Sequence, residues 1–209
     1  MSNIALKAGI ALCVALHKHG AETMGKEIAG IVVKHSIGAS AAALGAAWLP
    51  GVGATAAVAA SAGFIWGMYY RINTKLGIPF HKHILKSVAT AIGTNLAATA
   101  VGTIAISTAL SFIPGLGSIG SDLLMAGVCY AVTFASGLVY LKVLTRLAHA
   151  NADFSNISEK DLKKTAKEVM DHEDIKGMMK EAKSQFKEAK ARGDIRKGGG
   201  NVKPLEDEE

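Results

Sequence analysis

Charge is missing over long stretches of this 209-residue chain. No Asp, Glu, Lys or Arg occurs between residues 37 and 70, and Asp122 is alone between 88 and 141. Runs this apolar exclude a disordered polymer, and their length raises the question of which solvent surrounds them. Cysteine is nearly absent too. Cys13 and Cys129 each lie in an apolar run without a neighbouring ligand type, which excludes a disulfide framework or a zinc site and makes both small buried hydrophobes. Arginine is limited to Arg71, Arg146, Arg192 and Arg196, and aromatics to 6%. A nucleic-acid reader needs clustered arginines among aromatic platforms, so nucleic acid is not an expected partner. Catalytic motifs are missing as well. Gly51-x-Gly53 precedes Thr55 but lacks the Lys-Ser/Thr of a phosphate loop, and no G-x-S-x-G, H-E-x-x-H or usable Cys-His spacing occurs. The expectation is a protein that is not an enzyme and uses no cofactor or metal.

What is present is a repeat. Trp48-Leu49-Pro50-Gly51-Val52-Gly53 returns as Phe112-Ile113-Pro114-Gly115-Leu116-Gly117 at an offset of 64 (113 − 49), and the same offset maps His17-Lys18-His19 onto His81-Lys82-His83 and Gly38 onto Gly102. Proline fixes φ and glycine tolerates positive φ, so each Pro-Gly-x-Gly reads as a reversal between two helices. The fold class expected is all-α. Residues 1–150 form a duplicated helical-hairpin domain, with copies at about 7–70 and 71–141. A charged helical tail at 151–197 and an acidic, disordered end at 198–209 follow.

The arms are of membrane length. Val88–Phe112 would span about 37 Å and Leu123–Leu141 about 28 Å, against a hydrocarbon core of roughly 30 Å. The first ascending arm is shorter, because Lys34 and His35 cut it. Small residues recur four apart at Gly38-Ala42-Ala46, Ala59-Gly63-Gly67 and Gly127-Ala131-Ala135, a device for close helix packing in lipid that a soluble bundle can also use. Trp66, Tyr69, Tyr70 and Tyr140 gather at the far ends of the descending arms, where interfacial rings belong. The basic residues lie in the N-terminal segment, in 71–87 and after 142, so if both hairpins insert, all of them fall on one side, the cytoplasmic one. Lys7 and the apolar run Ala8–Leu16 imitate a signal peptide without an A-x-A site, and are read as part of the repeat, with no cleavage and no secretion.

His17, Lys18, His19, Arg71, Lys75, His81, Lys82 and His83 form a candidate interfacial basic belt for anionic headgroups. Histidines two apart share a face only in an extended segment, so metal binding is the lesser expectation. Asp122 is explained more plainly by a helix N-terminus than by function, and Asn95, Thr99 and Thr103 make a weakly polar stripe. In the tail, Ser158 with Asp161 resembles a capping box, and a second helix over about Glu173–Arg192 is weakened by Gly177. Both tail helices are amphipathic, which suits docking to a partner or to the module itself.

Leu49–Gly53, Ile113–Gly117, Tyr70-Arg71-Ile72, Leu76–Pro79 and Leu85–Leu96 carry a resemblance, from about Ile28 to Leu147, to the bacterial domain-of-unknown-function family numbered six hundred and ninety-seven. The resemblance implies a membrane-associated bacterial protein in the company of a GTPase. This chain has no GTPase motif of its own, so that enzyme would be a separate partner. Three readings follow. The first is a membrane-associated or amphitropic hairpin protein at the bacterial inner membrane, with cytoplasmic termini and a tail that recruits a partner. The second is a soluble all-α module, cytoplasmic, for a GTPase or similar protein. The third is a pore-forming or membrane-disrupting protein. Membrane lipid, a protein partner and a second copy of the chain are the expected associates.

Overall fold

A computed structural model of the chain describes the backbone of residues 2–46, 53–109 and 119–196, and side chains over 2–44, 61–97, 99 and 123–196. Among the described residues there are seven helices and no strand. They are α1 (Asn3–Ala15), α2 (Ala21–Ala46), α3 (Gly53–Leu76), α4 (Lys82–Ala109), α5 (Ile119–His149), α6 (Glu159–His172) and α7 (Ile175–Ala191). The Pro-Gly turns at Pro50-Gly51 and Pro114-Gly115-x-Gly117 lie outside the described residues, and Gly53 is the first residue of α3.

Four helices stop in the same way. A residue of positive φ follows each of α1, α3, α5 and α7, namely His17, Gly77, Asn151 and Gly193. The next amide then reaches back five residues: Lys18 N–H to Cys13 O, Ile78 to Asn73, Ala152 to Leu147 and Asp194 to Ala189, at 2.9 to 3.0 Å. This satisfies carbonyls the helix end would leave orphaned. At its start α6 is capped by Ser158, whose hydroxyl accepts from Asp161 N–H (3.1 Å) and donates to the Asp161 carboxylate (2.6 Å). Gly177 does not weaken α7. It lies in the first turn, its N–H donates to the Asp174 cap at 2.8 Å, and a Cβ there would collide with that carboxylate.

Helix directions follow from pairs of contacts. Gly38 of α2 meets Phe64 of α3, and Glu27 pairs with Lys75, so α2 and α3 are antiparallel. Lys82 lies over Tyr70 and Lys86 over Trp66, so α3 and α4 are antiparallel as well. Tyr69 meets Ser136 and Asn73 meets Tyr140, so α3 and α5 run parallel. The α1 backbone crosses α2 at Gly9 and Gly25, where a Cβ on Gly9 would lie 2.7 Å from Gly25 O. The centre of the bundle is α5, in which every residue from Cys129 to Leu141 is buried.

The tail belongs to the same core. Leu162, Ala166, Val169, Met178, Met179, Ala182, Phe186, Ala189 and Ile195 are buried in one cluster with the hairpin helices. Glu159 of α6 accepts from Ser87 of α4 (2.6 Å), and Glu168 and Glu173 pair with Arg146 and Lys142 of α5. From there α7 climbs antiparallel along α5 until Phe186 packs on Tyr130, ring centroids 5.8 Å apart, and over Gly127.

Two helical stretches, Ala21–Leu44 and Leu123–His149, are long and apolar enough to cross a membrane by length and composition. Their most apolar windows are 56% and 72% buried inside the protein, which is also how the core helix of a soluble bundle looks.

Candidate functional site: a charged end, a polar ladder and a covered face

The helix directions give the bundle two unlike ends. α2 and α4 start, and α3 and α5 stop, at the same end, which carries Glu22, Lys26, Glu27, Arg71, Lys75, His81, Lys82, His83, Lys86, Arg146 and His149. The opposite end receives the C-terminal parts of α2 and α4 and the N-terminal parts of α3 and α5, in which the sequence carries a single charged residue, Asp122.

Of the basic belt, His17, His19, Arg71, Lys75, His81, Lys82 and His83 are exposed and Lys18 is half-buried. The structure brings together part of it. Tyr70 carries Lys82 over its ring (5.8 Å), and the His81 and His83 rings stack at 5.6 Å and 14°. Among the described residues no three His, Cys, Asp or Glu side chains converge as a metal site.

The packing glycines divide. Gly38 sits against Phe64 as its small size requires, Gly67 and Ala131 are buried, and Gly63 is half-buried. The surroundings of Ala59 and Gly102 lie outside the described residues, as does the side chain of Asp122. Gly127 faces Phe186 of the tail, not a hairpin arm. Gly137, which the small-residue spacing does not single out, lets Val32 and Met68 approach to within 2.9 and 3.0 Å of where its Cβ would be. Asn95 donates to Ala91 O and, with Thr99, lines a 310 Å³ cleft shared with Lys163, Lys167 and Asp171 of α6. The described part of the polar stripe therefore faces the tail.

Tyr69 and Tyr140 are not interfacial rings. Both are fully buried and stacked, centroids 3.8 Å apart at 11°. They form a polar ladder between α3 and α5, in which Tyr69 Oη shares a hydrogen with Ser136 Oγ at 2.7 Å and Tyr140 Oη donates to Asn73 Oδ1 at 2.8 Å. Burial drives both phenols up from their ordinary range, so they stay neutral donors. Trp66 is also buried, and of the four rings only Tyr70 is half-exposed. Aromatic placement in the sequence could not separate core from interface, since the same amphipathic ring serves both.

His35 is a second buried polar group, 1% exposed. Its Nδ1 lies 2.7 Å from Ile31 O. A carbonyl only accepts, so Nδ1 carries the hydrogen and Nε2 keeps its lone pair. That nitrogen has no partner. Burial first of all, with Arg71 adding to it and the bond to Ile31 opposing it, pushes the His35 pKa down to about 4. The unfolded chain binds this proton near the ordinary value of 6.5, so stability from His35 is complete above that pH and is lost as pH falls toward 4. The shift corresponds to about 3 kcal/mol. Urea unfolding between neutral and mildly acidic pH should show this loss in the wild type and a flatter profile in His35→Leu; equal profiles would contradict it.

No family model matches the chain, and neither a curated protein nor a solved structure does. What the fold defines is an all-helical bundle with two apolar helices long enough for a membrane.

Proposed function

We propose a non-enzymatic, membrane-associated protein that rests as a water-side bundle with its tail docked and attaches to lipid through the uncharged ends of its two hairpins. The tail, once released, is the segment that binds or recruits a partner. The observation that carries this reading is the parallel alignment of α3 and α5, which directs both nearly uncharged runs to one end and leaves the cations of α2 to α5 at the other. Amphitropic attachment fits better than permanent spanning. α7 lies along α5 as far as Gly127, so full insertion of this arrangement would carry the exposed Lys180, Lys187 and Lys190 to hydrocarbon depth. A lysine there costs roughly 2.5–3.5 kcal/mol on insertion scales. A GTPase as the partner, and a bacterial inner-membrane setting, rest on the family resemblance of the Pro-Gly elements and the Tyr70–Pro79 segment.

A soluble adaptor is the second reading, favoured by the burial of α5 and by Val14 being the single exposed large hydrophobic among the described residues. Single-cysteine variants separate the two. Val52→Cys and Ser118→Cys, in a background with Cys13 and Cys129 replaced by Ala, are labelled with an environment-sensitive dye. Vesicles should blue-shift the emission and shield both positions from an aqueous quencher. Emission indifferent to vesicles, with the protein wholly in the supernatant, would leave the adaptor.

A further inference from the structure

The charges of α7 are sorted. Lys176, Lys180, Lys187 and Lys190 are exposed, and with the half-buried Lys183 they follow one another at steps of four, three, four and three residues. Those steps keep them in one row along the helix. The row is about 21 Å long at 1.5 Å per residue. The acids Glu181 and Glu188 stand on the other side of the face buried by Met178, Met179, Ala182, Phe186 and Ala189. There Gln185 donates to Glu181 at 3.1 Å, and Arg192 lies 3.9 Å from Glu188. None of the four exposed lysines pairs with a carboxylate among the described residues. Like charges at this spacing repel one another, a cost to the docked tail that an anion from outside the chain relieves.

We propose that this row is the contact surface for an anionic lipid bilayer, met while α7 is still docked on α5. The proposal rests on the membrane-associated reading and gives that attachment its lipid class. Three features select the partner. The row is straight and built of point charges, without a planar fork, and the nearby Arg192 is held by Glu188 and Asp194. It therefore suits a diffuse anionic surface and not the base edges of a nucleic acid. No large hydrophobic is exposed beside it, Val14 of α1 being the single one among the described residues, so a protein partner would find no apolar anchor. Lysines that are costly in hydrocarbon are favoured at headgroup level, where each is worth about fivefold in affinity for an anionic surface. The bundle thus reaches anionic lipid on the flank of α7 before any hairpin end enters, and on phosphatidylcholine alone the docked protein stays in the supernatant.

The full-length protein is cosedimented with phosphatidylcholine vesicles, with and without phosphatidylglycerol. Binding should require the anionic lipid and fall about tenfold or more as salt is raised from about 0.1 M to about 1 M, where the Debye length shrinks from about 10 Å to about 3 Å. The variant Lys176→Gln, Lys180→Gln, Lys187→Gln, Lys190→Gln keeps helix propensity at four exposed positions and should weaken binding about tenfold or more. The variant Lys18→Gln, Arg71→Gln, Lys75→Gln, Lys82→Gln removes the same charge from the basic belt and should keep most of the binding. A dye at Val52→Cys reports the hairpin ends separately. An unchanged row variant, an equal loss in the belt variant, or equal binding to both lipids overturns the proposal, and a dye shift on vesicles would then leave the membrane-associated reading standing. No sedimentation with either vesicle and a silent dye would overturn both. A DNA duplex that displaces the protein from anionic vesicles at equal phosphate concentration would assign the row to nucleic acid instead.

Discussion

Releasing α7 should convert a protein that stays in the supernatant into one that sediments with vesicles, raising the bound fraction about tenfold or more. The variant is Met179→Asp with Phe186→Asp, which places two carboxylates at positions of the tail that are buried in the core cluster. Burying a Met or Phe side chain is worth about 1.5–3 kcal/mol, so two such losses remove several kcal/mol of docking before any penalty for the buried charge. The sign of the effect follows from the outer face of α7. Lys180, Lys187 and Lys190 are exposed beside the stretch of α5 that ends at Gly127, and together they oppose insertion by about 8–10 kcal/mol while α7 remains attached. Detachment removes that penalty and uncovers the Tyr130 face of α5. Cosedimentation with and without lipid distinguishes the two readings. A soluble adaptor with its tail released would aggregate equally in both, whereas vesicle-dependent recovery supports the amphitropic bundle.

Much of this architecture is legible in the sequence because it depends on periodic signals. The Ser158–Asp161 cap, the apolar faces of α6 and α7, and the long helices flanking the Pro-Gly elements all follow from local spacing. What depends on which helix touches which does not. Tyr69 and Tyr140 read as interfacial rings, since sequence position shows only that both lie near arm ends; their stacking requires α3 and α5 to be parallel neighbours. Gly127 reads as a helix-packing residue between arms, and its neighbour is Phe186, contributed from the tail. Gly177 looks like a defect inside a helix and proves to lie in the first turn with its N–H capped by Asp174, because helix bounds shift by a residue or two when read from pattern. His35 looks like an interruption of an apolar arm. Its buried, unpartnered nitrogen emerges only once α3 brings Arg71 near.

Gly25→Leu should be among the most destabilising single substitutions in the described bundle, by about 3 kcal/mol or more, with α1 lost from the core. At this crossing the backbones themselves touch. A Cβ on Gly25 would lie 2.7 Å from the amide nitrogen of Ile10 and 2.9 Å from its Cα, and a Cβ on Gly9 would lie 2.7 Å from Gly25 O. Overpacking against a side chain costs about 1–3 kcal/mol because the neighbour can change rotamer. Backbone has no such freedom, so α1 must move away from α2 and expose Ala5, Leu12 and Cys13, all fully buried. Gly30 on the same helix is the control, with nothing within 4 Å of its would-be Cβ. Gly30→Ala should be neutral or stabilise by up to about 1 kcal/mol, the helix-propensity difference alone. Urea denaturation gives both values, and thiol labelling of Cys13 under native conditions reports α1 directly. Gly25→Leu with wild-type stability and a protected Cys13 would mean that α1 does not pack on α2 at this crossing.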